Sequence, residues 1–213
     1  MIKDDHGLAD QCFVRFQERV ERLSDAVNRA NRETGCAASI FPNITAPLDQ
    51  LLDRARLARQ AGAGGYLIAP GLAGWDAMLR CRRRSLRLTD HESPGILRSV
   101  HDQSLRGISH GAFYGRIARL AGADATIFPN YGGRFAFSTD ECRDIVAGCD
   151  ASLGDIRPIF PAPAGGMKVQ RVPELCDFYG KDTVLLIGGD LHRHGSDLVQ
   201  SCRQFAESVR SNC

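Results

Sequence analysis

No run of apolar residues in this 213-residue chain is long enough to cross a bilayer, so the sequence offers no transmembrane helix. The opening residues carry charge at Lys3, Asp4 and Asp5, which is not the pattern of a secretory signal. Charge of one sign is not in excess either. A net charge of +2 gives no electrostatic case for nucleic acid or for a membrane surface. Zinc-site spacing is absent, because none of the eight cysteines forms a C-x-x-C pair. Cys12, Cys36, Cys81, Cys142, Cys149, Cys176, Cys202 and Cys213 are scattered through the chain. Without a secretory signal they are expected to be reduced thiols of a cytoplasmic protein. What remains is ordinary globular composition, enough for one large domain or two small ones.

The pattern along the chain is more informative. Phe13, Phe16, Val20, Leu23, Val27 and Ala30 recur at steps of three and four, one apolar face of a long helix that Gly35 stops. Helical patterns also cover 48–60, 112–120, 139–147, 172–179 and 198–209. Ser138 and Glu141 have capping-box spacing at the third of these. Between the helices lie short apolar runs at 37–41, 66–69, 125–128, 156–160 and 184–187, with a weak one at 95–100. Short strands alternating with amphipathic helices predict parallel β/α units, either doubly wound or closed into a barrel. Glycine-rich loops after several strands favour the barrel, with ligand groups at its C-terminal face.

Two strand ends run into paired glycines, Gly165-Gly166 and Gly188-Gly189. Such turns free backbone N–H groups to surround an anion, and in barrels the loops of the last two strands often hold phosphate. A third loop, 128–135, carries Gly132, Gly133 and Arg134, a guanidinium with reach for a phosphate or carboxylate. At the other end of the chain, strand alternation puts Lys3 and Asp5 on one face with His6 just beyond. These three make either a metal site or an ordinary charged terminus. Asp190, His192 and His194 are read as loop-positioning groups, and His110 as a cap for the helix after it. The arginines between Met78 and Gly107 lack interleaved aromatics and read as an irregular, solvated stretch at 80–106.

Together these residues resemble the ribulose bisphosphate carboxylase large-chain superfamily, in particular its carboxylase-like (RuBisCO-like) members. The resemblance is carried by Ile2-Lys3-Asp4-Asp5, Glu33-Thr34-Gly35, Ser109-His110-Gly111 and Leu120-Ala121-Gly122-Ala123-Asp124. Gly133-Arg134-Phe135, Gly165-Gly166 and Gly188-Gly189 complete it. It implies an α/β fold, a (β/α)8 TIM-type barrel over residues 1–213. The first strand and an N-terminal α/β domain would lie upstream of Met1. It implies that Lys3 reacts with CO2 to form a carbamate, which holds Mg²⁺ with Asp5 and His6. Gly165, Gly166, Gly188 and Gly189 would grip a substrate phosphate, and Arg134 would sit in the mobile loop.

Two departures bear on the reaction. His6 stands where the carboxylase pattern has glutamate, which moves the metal preference toward Mn²⁺. Arg134 stands where that pattern has lysine, and the two are not interchangeable. CO2 fixation is therefore not expected. The expected activity is that of a RuBisCO-like enzyme acting through an enediolate on a phosphorylated ketose or keto sugar acid. Decarboxylation is preferred over isomerase or enolase chemistry. The alternative is a non-catalytic truncated remnant or split subunit. The implied partners are a phosphorylated small molecule and, for a full-length form, a second copy in a homodimer, with no nucleic acid and no membrane.

Overall fold

The computed structural model describes residues 1–5, 13–83, 88–91, 107–133 and 137–213. The chain divides into two compact units. The first comprises Met1–Ser93 with Leu120–Asp124, and the second Pro94–Arg119 with Ala125–Cys213.

The first unit begins with β1 (Ile2–Lys3) and α1 (Phe16–Thr34), followed by β2 (Ile40–Phe41) and α2 (Leu48–Gln60). It continues with β3 (Tyr66–Ile68), a short α3 (Pro70–Ala73), α4 (Trp75–Arg83) and β4 (Leu88–His91). β1 pairs with β2 and β3 with β4, both parallel. A parallel bridge between Asn43 and Leu67 joins β2's continuation to β3. Neighbouring strands thus follow chain order.

The helix α1 ends as its sequence predicts. Gly35 adopts a left-handed φ of 69° and its N–H bonds the carbonyl of Asn31. Its N-terminal boundary differs from the periodicity. Phe13 lies before the helix and is exposed, while Val20 and Val27 are buried. The apolar run at 37–41 yields only two paired residues. The arginines Arg80, Arg82 and Arg83 are not in an irregular segment. They close α4, whose Ala77, Met78 and Cys81 are buried. The weak strand at 95–100 lies outside the described residues.

The second unit opens on a π-helix, Gly111–Ile117, that runs on as one α-turn, Ala118–Leu120; the two together are α5. Then come β5 (Ala125–Pro129), α6 (Thr139–Asp150) and β6 (Phe160–Ala164). A 3-10 turn, Val169–Arg171, leads into α7 (Val172–Tyr179), then α8 (Gly189–Arg193) and α9 (Leu198–Asn212). The capping box of α6 is complete. The Ser138 hydroxyl accepts from the Glu141 N–H at 3.2 Å and the Glu141 carboxylate from the Ser138 N–H at 2.6 Å. α5 lies against α6 at very short range because both contact faces are glycine. A Cβ on Gly148 would sit 2.1 Å from the Gly111 carbonyl oxygen. Arg119 is buried and still satisfied, donating to the carbonyls of Arg157 at 3.1 Å and Ile156 at 2.7 Å.

β6 pairs in parallel with β5, Ala125 opposite Phe160 through Pro129 opposite Ala164. The expected strand at 156–160 therefore starts four residues later, at Phe160, and runs through two prolines. Their effect shows on the far side. The Val184 and Leu186 N–H groups donate to the carbonyls of Pro161 and Pro163, at 3.0 and 3.2 Å. A strand residue points its N–H and C=O to the same side, so the prolines return no donor there. Half the ladder is missing, and the expected strand 184–187 reduces to one bridge, Ala164 to Leu186.

Cys176 on α7 and Cys213 form a disulfide, with Cα atoms 5.4 Å apart. This departs from the expectation of eight reduced thiols. Val172, Cys176 and Phe205 form a small core against which Leu185, Ile187 and Leu191 pack. No helix among the described residues is long and apolar enough to cross a membrane.

Candidate functional site

The first unit positions Lys3 and Asp5. β1 is held at both ends, by the Ile2 N–H on the Ser39 carbonyl at 2.7 Å and the Asp4 N–H on the Phe41 carbonyl at 3.0 Å. Asp4 turns inward. Its carboxylate is buried, 3.0 Å from the Arg19 guanidinium, and accepts from the N–H groups of Asn43 at 3.3 Å and Asp5 at 3.2 Å. This carboxylate anchors the strand to α1 and is not free to bind a cation. Lys3 is half-buried and donates its Nζ to the Asp4 carbonyl at 3.0 Å. Burial holds its amine below the ordinary lysine range, with Asp5 and then Asp4 pulling the other way. Asp5 is exposed, and the Asn43 side chain donates to its carbonyl at 3.4 Å.

A half-buried lysine destabilised as an ammonium has the chemistry needed to give its proton to solvent and add the neutral amine to CO2, releasing a second proton as the carbamate forms, and an exposed carboxylate stands two residues on. That donor set fits the implied cation. His6 lies outside the described residues, and among those described no three His, Cys, Asp or Glu side chains cluster.

The second unit brings the two double-glycine turns together. Ala164 and Leu186 are bridge partners, so Gly165-Gly166 and Gly188-Gly189 leave adjacent parallel segments at the same edge. Gly165 and Gly166 have φ of 93° and 66°, conformations that disfavour any side chain. Gly188 is exposed and precedes the first turn of α8, where its carbonyl accepts from the Leu191 N–H at 2.9 Å. Gly133 meets the first turn closely, since a Cβ there would lie 3.2 Å from the Gly165 carbonyl carbon. Paired glycines after a strand are the backbone type that can leave N–H groups free for an anion. Arg134 lies outside the described residues.

Five residues not singled out in the sequence hold this edge. Asn130 is buried. Its N–H donates to the Ala164 carbonyl at 2.8 Å and its side-chain amide to the Gly165 carbonyl at 3.4 Å. Its Oδ1 accepts from the Tyr179 hydroxyl at 2.6 Å. Burial, chiefly, pushes the Tyr179 phenol far above its usual range, so it stays a donor. Arg171 and Glu174 form an ion pair at 2.9 Å, and the Tyr131 hydroxyl donates to the same carboxylate at 2.8 Å. The Arg171 and Tyr131 hydrogen bonds bring Glu174 down to about 2. Burial first, and then the bond to Glu174, push Tyr131 up to about 12.

His110 does not cap α5 by its side chain. That work falls to the Asp144 carboxylate, which accepts from the Gly111 N–H at 2.7 Å, and to the Ser109 hydroxyl, which accepts from Ala112 at 3.2 Å. The His110 ring sits edge-on to Phe137 with centroids 4.6 Å apart, its Nε2 3.7 Å from Glu141. On α8, Asp190 pairs with Arg193 at 3.0 Å and His194 bonds Gln204 at 2.6 Å. A cavity of about 280 Å³ opens beside them, between Lys168, Arg193 and Phe205.

Comparison with known proteins gives this geometry a setting. The family described as ribulose bisphosphate carboxylase large chain, catalytic domain, matches residues 1–211. The chain is 38% identical to 5-methylthioribulose-1-phosphate isomerase of Rhodospirillum rubrum, over 98% of its own length and 54% of that protein's. Its structure resembles a Rubisco-like protein from Rhodopseudomonas palustris with a TM-score of 0.85 at 37% identity, covering 98% of this chain and 55% of that one. It resembles the octameric ribulose-1,5-bisphosphate carboxylase/oxygenase of Pyrococcus horikoshii with a TM-score of 0.90 at 27% identity, covering 99% and 50%. The chain spans about half the length of the curated relatives it matches.

Proposed function

Because the chain belongs to the ribulose bisphosphate carboxylase large-chain family, we propose that it serves a RuBisCO-like enzyme that does not fix CO2. The reaction begins by removing a proton beside the ketone of a phosphorylated ketose or keto sugar acid. The observation that carries this reading is the register of Ala164 and Leu186, which brings two double-glycine turns to one edge. Their backbone N–H groups suit a terminal phosphate, and no side chain at those glycines obstructs it.

The remaining roles follow from residue chemistry. Lys3 as its carbamate, with Asp5 and His6, would hold Mg²⁺ or Mn²⁺. When bound, the cation polarises the ketone and so acidifies the neighbouring C–H. Asp4 and Arg19 hold β1 in place, which fixes the backbone that carries Lys3 and Asp5. Arg134 would reach an anionic group of the substrate with a two-point grip. The same reading takes residues 1–213 as the TIM-type barrel domain of such an enzyme, acting with a second copy of the chain.

Isomerisation is favoured over decarboxylation here, since the relative at 38% identity bears an isomerase name. Both pass through an enediolate, reached by loss of a proton in isomerisation and by loss of CO2 in decarboxylation, and they are told apart by product. The test incubates purified protein with Mg²⁺ or Mn²⁺, bicarbonate and phosphorylated ketoses in D2O. Deuterium entering beside the ketone supports the proposal. CO2 release from a keto sugar acid would move it to decarboxylation, and incorporation of labelled CO2 would refute it. Turnover that survives Lys3→Ala would sink the carbamate assignment.

A further inference from the structure

We propose that Arg171 is a positioning residue for the Gly165-Gly166 turn, aiming the Met167 N–H through the Gly166 carbonyl while Asn130 aims the one before it; this rests on the phosphate-gripping reading above. Its guanidinium is spoken for on three sides. The Nε and Nη2 donate to the two oxygens of Glu174 at 3.1 and 2.9 Å, the forked geometry that fixes a guanidinium plane. The Tyr131 ring lies under it, 4.9 Å from ring centroid to Cζ. The Tyr131 hydroxyl holds Glu174 from the far side at 2.8 Å.

What is left of the fork, Nη1, reaches two different loops. It donates to the Tyr131 carbonyl at 3.3 Å and the Gly166 carbonyl at 3.4 Å. An ordinary ion pair at the start of a helix needs neither contact. In a planar trans peptide the carbonyl and the N–H that follows it point in opposite directions. The Gly166 carbonyl also accepts from the Lys168 N–H at 3.1 Å, and the guanidinium holds it from outside the turn, which keeps the Met167 N–H turned away from Arg171. Asn130 does the same one peptide earlier, since its amide holds the Gly165 carbonyl and so turns the Gly166 N–H outward. Two successive N–H groups are thereby aimed to one side, the arrangement that forms an anion nest.

The glycines make room for this. A Cβ on Gly132 would come 3.1 Å from Arg171 Nη1, and one on Gly166 would come 3.1 Å from the Gly132 carbonyl oxygen. The guanidinium thus sits where two glycine loops meet, and it ties the 130–133 loop to the phosphate turn.

The test compares wild type with Arg171→Gln, Arg171→Lys and Glu174→Gln. Amide hydrogen exchange is followed by mass spectrometry over 130–133 and 164–168, with 66–68 as an internal control. The proton-exchange assay above gives KM and kcat. Arg171→Gln is expected to speed exchange in the two loop segments and to raise KM about tenfold, the loss of one charge-assisted hydrogen bond, with kcat nearly unchanged. Arg171→Lys keeps the charge without the fork and is expected to fall between. Glu174→Gln loosens the fork and is expected to give a weaker form of the same pattern. Unchanged loop exchange in Arg171→Gln would overturn the proposal. So would exchange that rises equally at 66–68, or a fall in kcat at constant KM. Should the wild type catalyse nothing, the proposed function fails while the hydrogen-exchange arm still decides the role of Arg171.

Discussion

Replacing Arg19 with methionine strands a buried carboxylate. Asp4 and Arg19 side chains are 3% and 8% exposed and 3.0 Å apart. Removing one partner of such a pair leaves a charge in low dielectric and typically costs about 3–5 kcal/mol. Asp4 retains two backbone donors, from Asn43 at 3.3 Å and Asp5 at 3.2 Å, which offset part of the loss. We therefore expect the lower end, about 3 kcal/mol for Arg19→Met. At roughly 2–4 °C per kcal/mol for a chain of this size, the melting midpoint falls by about 6–12 °C. Asp4→Asn leaves one oxygen where two accept from Asn43 and Asp5 and removes the counter-charge of the buried guanidinium, so it is expected to cost as much.

The double variant Asp4→Asn/Arg19→Met decides the reasoning, because it removes both charges. Its cost should fall short of the sum of the singles by about 2 kcal/mol, the coupling of a buried pair. Urea denaturation of the four proteins, with extrapolation to water, supplies the cycle. A single-variant cost under about 1 kcal/mol, or additive costs, would mean that the pair behaves as a surface salt bridge.

Denaturing thiol titration without reductant is expected to find six thiols of the eight cysteines, since Cys176 and Cys213 are joined; a count of eight would refute the bridge. Closing the loop between them, a sequence separation of 37, is worth about 4 kcal/mol on the chain-entropy account, so reductant should lower the urea midpoint. Glu174 is held at about 2 by Arg171 and Tyr131. Its folded value lies below its unfolded one, so the stabilisation is complete above the ordinary carboxylate range and lost as pH falls through about 2. The side chain is half exposed, so screening leaves about 1 kcal/mol, and Glu174→Gln should flatten that acid limb of the stability curve. Tyr131 is raised to about 12, so its contribution is complete below its ordinary value of 10 and lost as pH rises toward 12. Phenol absorbance should show a tyrosine titrating near 12 rather than near the ordinary 10. Gly148→Ala places a Cβ 2.1 Å from the Gly111 carbonyl and is expected to destabilise by about 1–3 kcal/mol through overpacking, whereas Gly154→Ala, open on all sides, should cost only the strain of its positive φ.

Helices were legible because their information is local. The runs 48–60 and 172–179 match α2 and α7 to the residue, while Gly35 marks the end of α1 and Ser138 the start of α6 by backbone and capping chemistry. Strands were legible in kind but not in extent. Ladder bonds depend on the neighbouring segment, and the prolines of β6 silence one side of it, which no feature of 184–187 itself reveals. Arg80, Arg82 and Arg83 are charges at the end of a helix whose Ala77, Met78 and Cys81 are buried, a helical pattern that the density of arginines obscures in one dimension.

At the candidate site the divide is the same. Sequence alone marked the candidates: Lys3 beside carboxylates, and glycine pairs at the ends of two late apolar runs. These depend on side-chain type and on spacing over a few residues. Only the tertiary structure decided what each group faces. Asp4, not its neighbours, turns inward to a partner 15 residues away. Tyr179 reaches Asn130 across 49 residues and Arg171 reaches Tyr131 across 40. Cys176 finds Cys213 across 37. Such pairings follow from how parallel segments stack, and a chain read in one dimension carries no record of that distance.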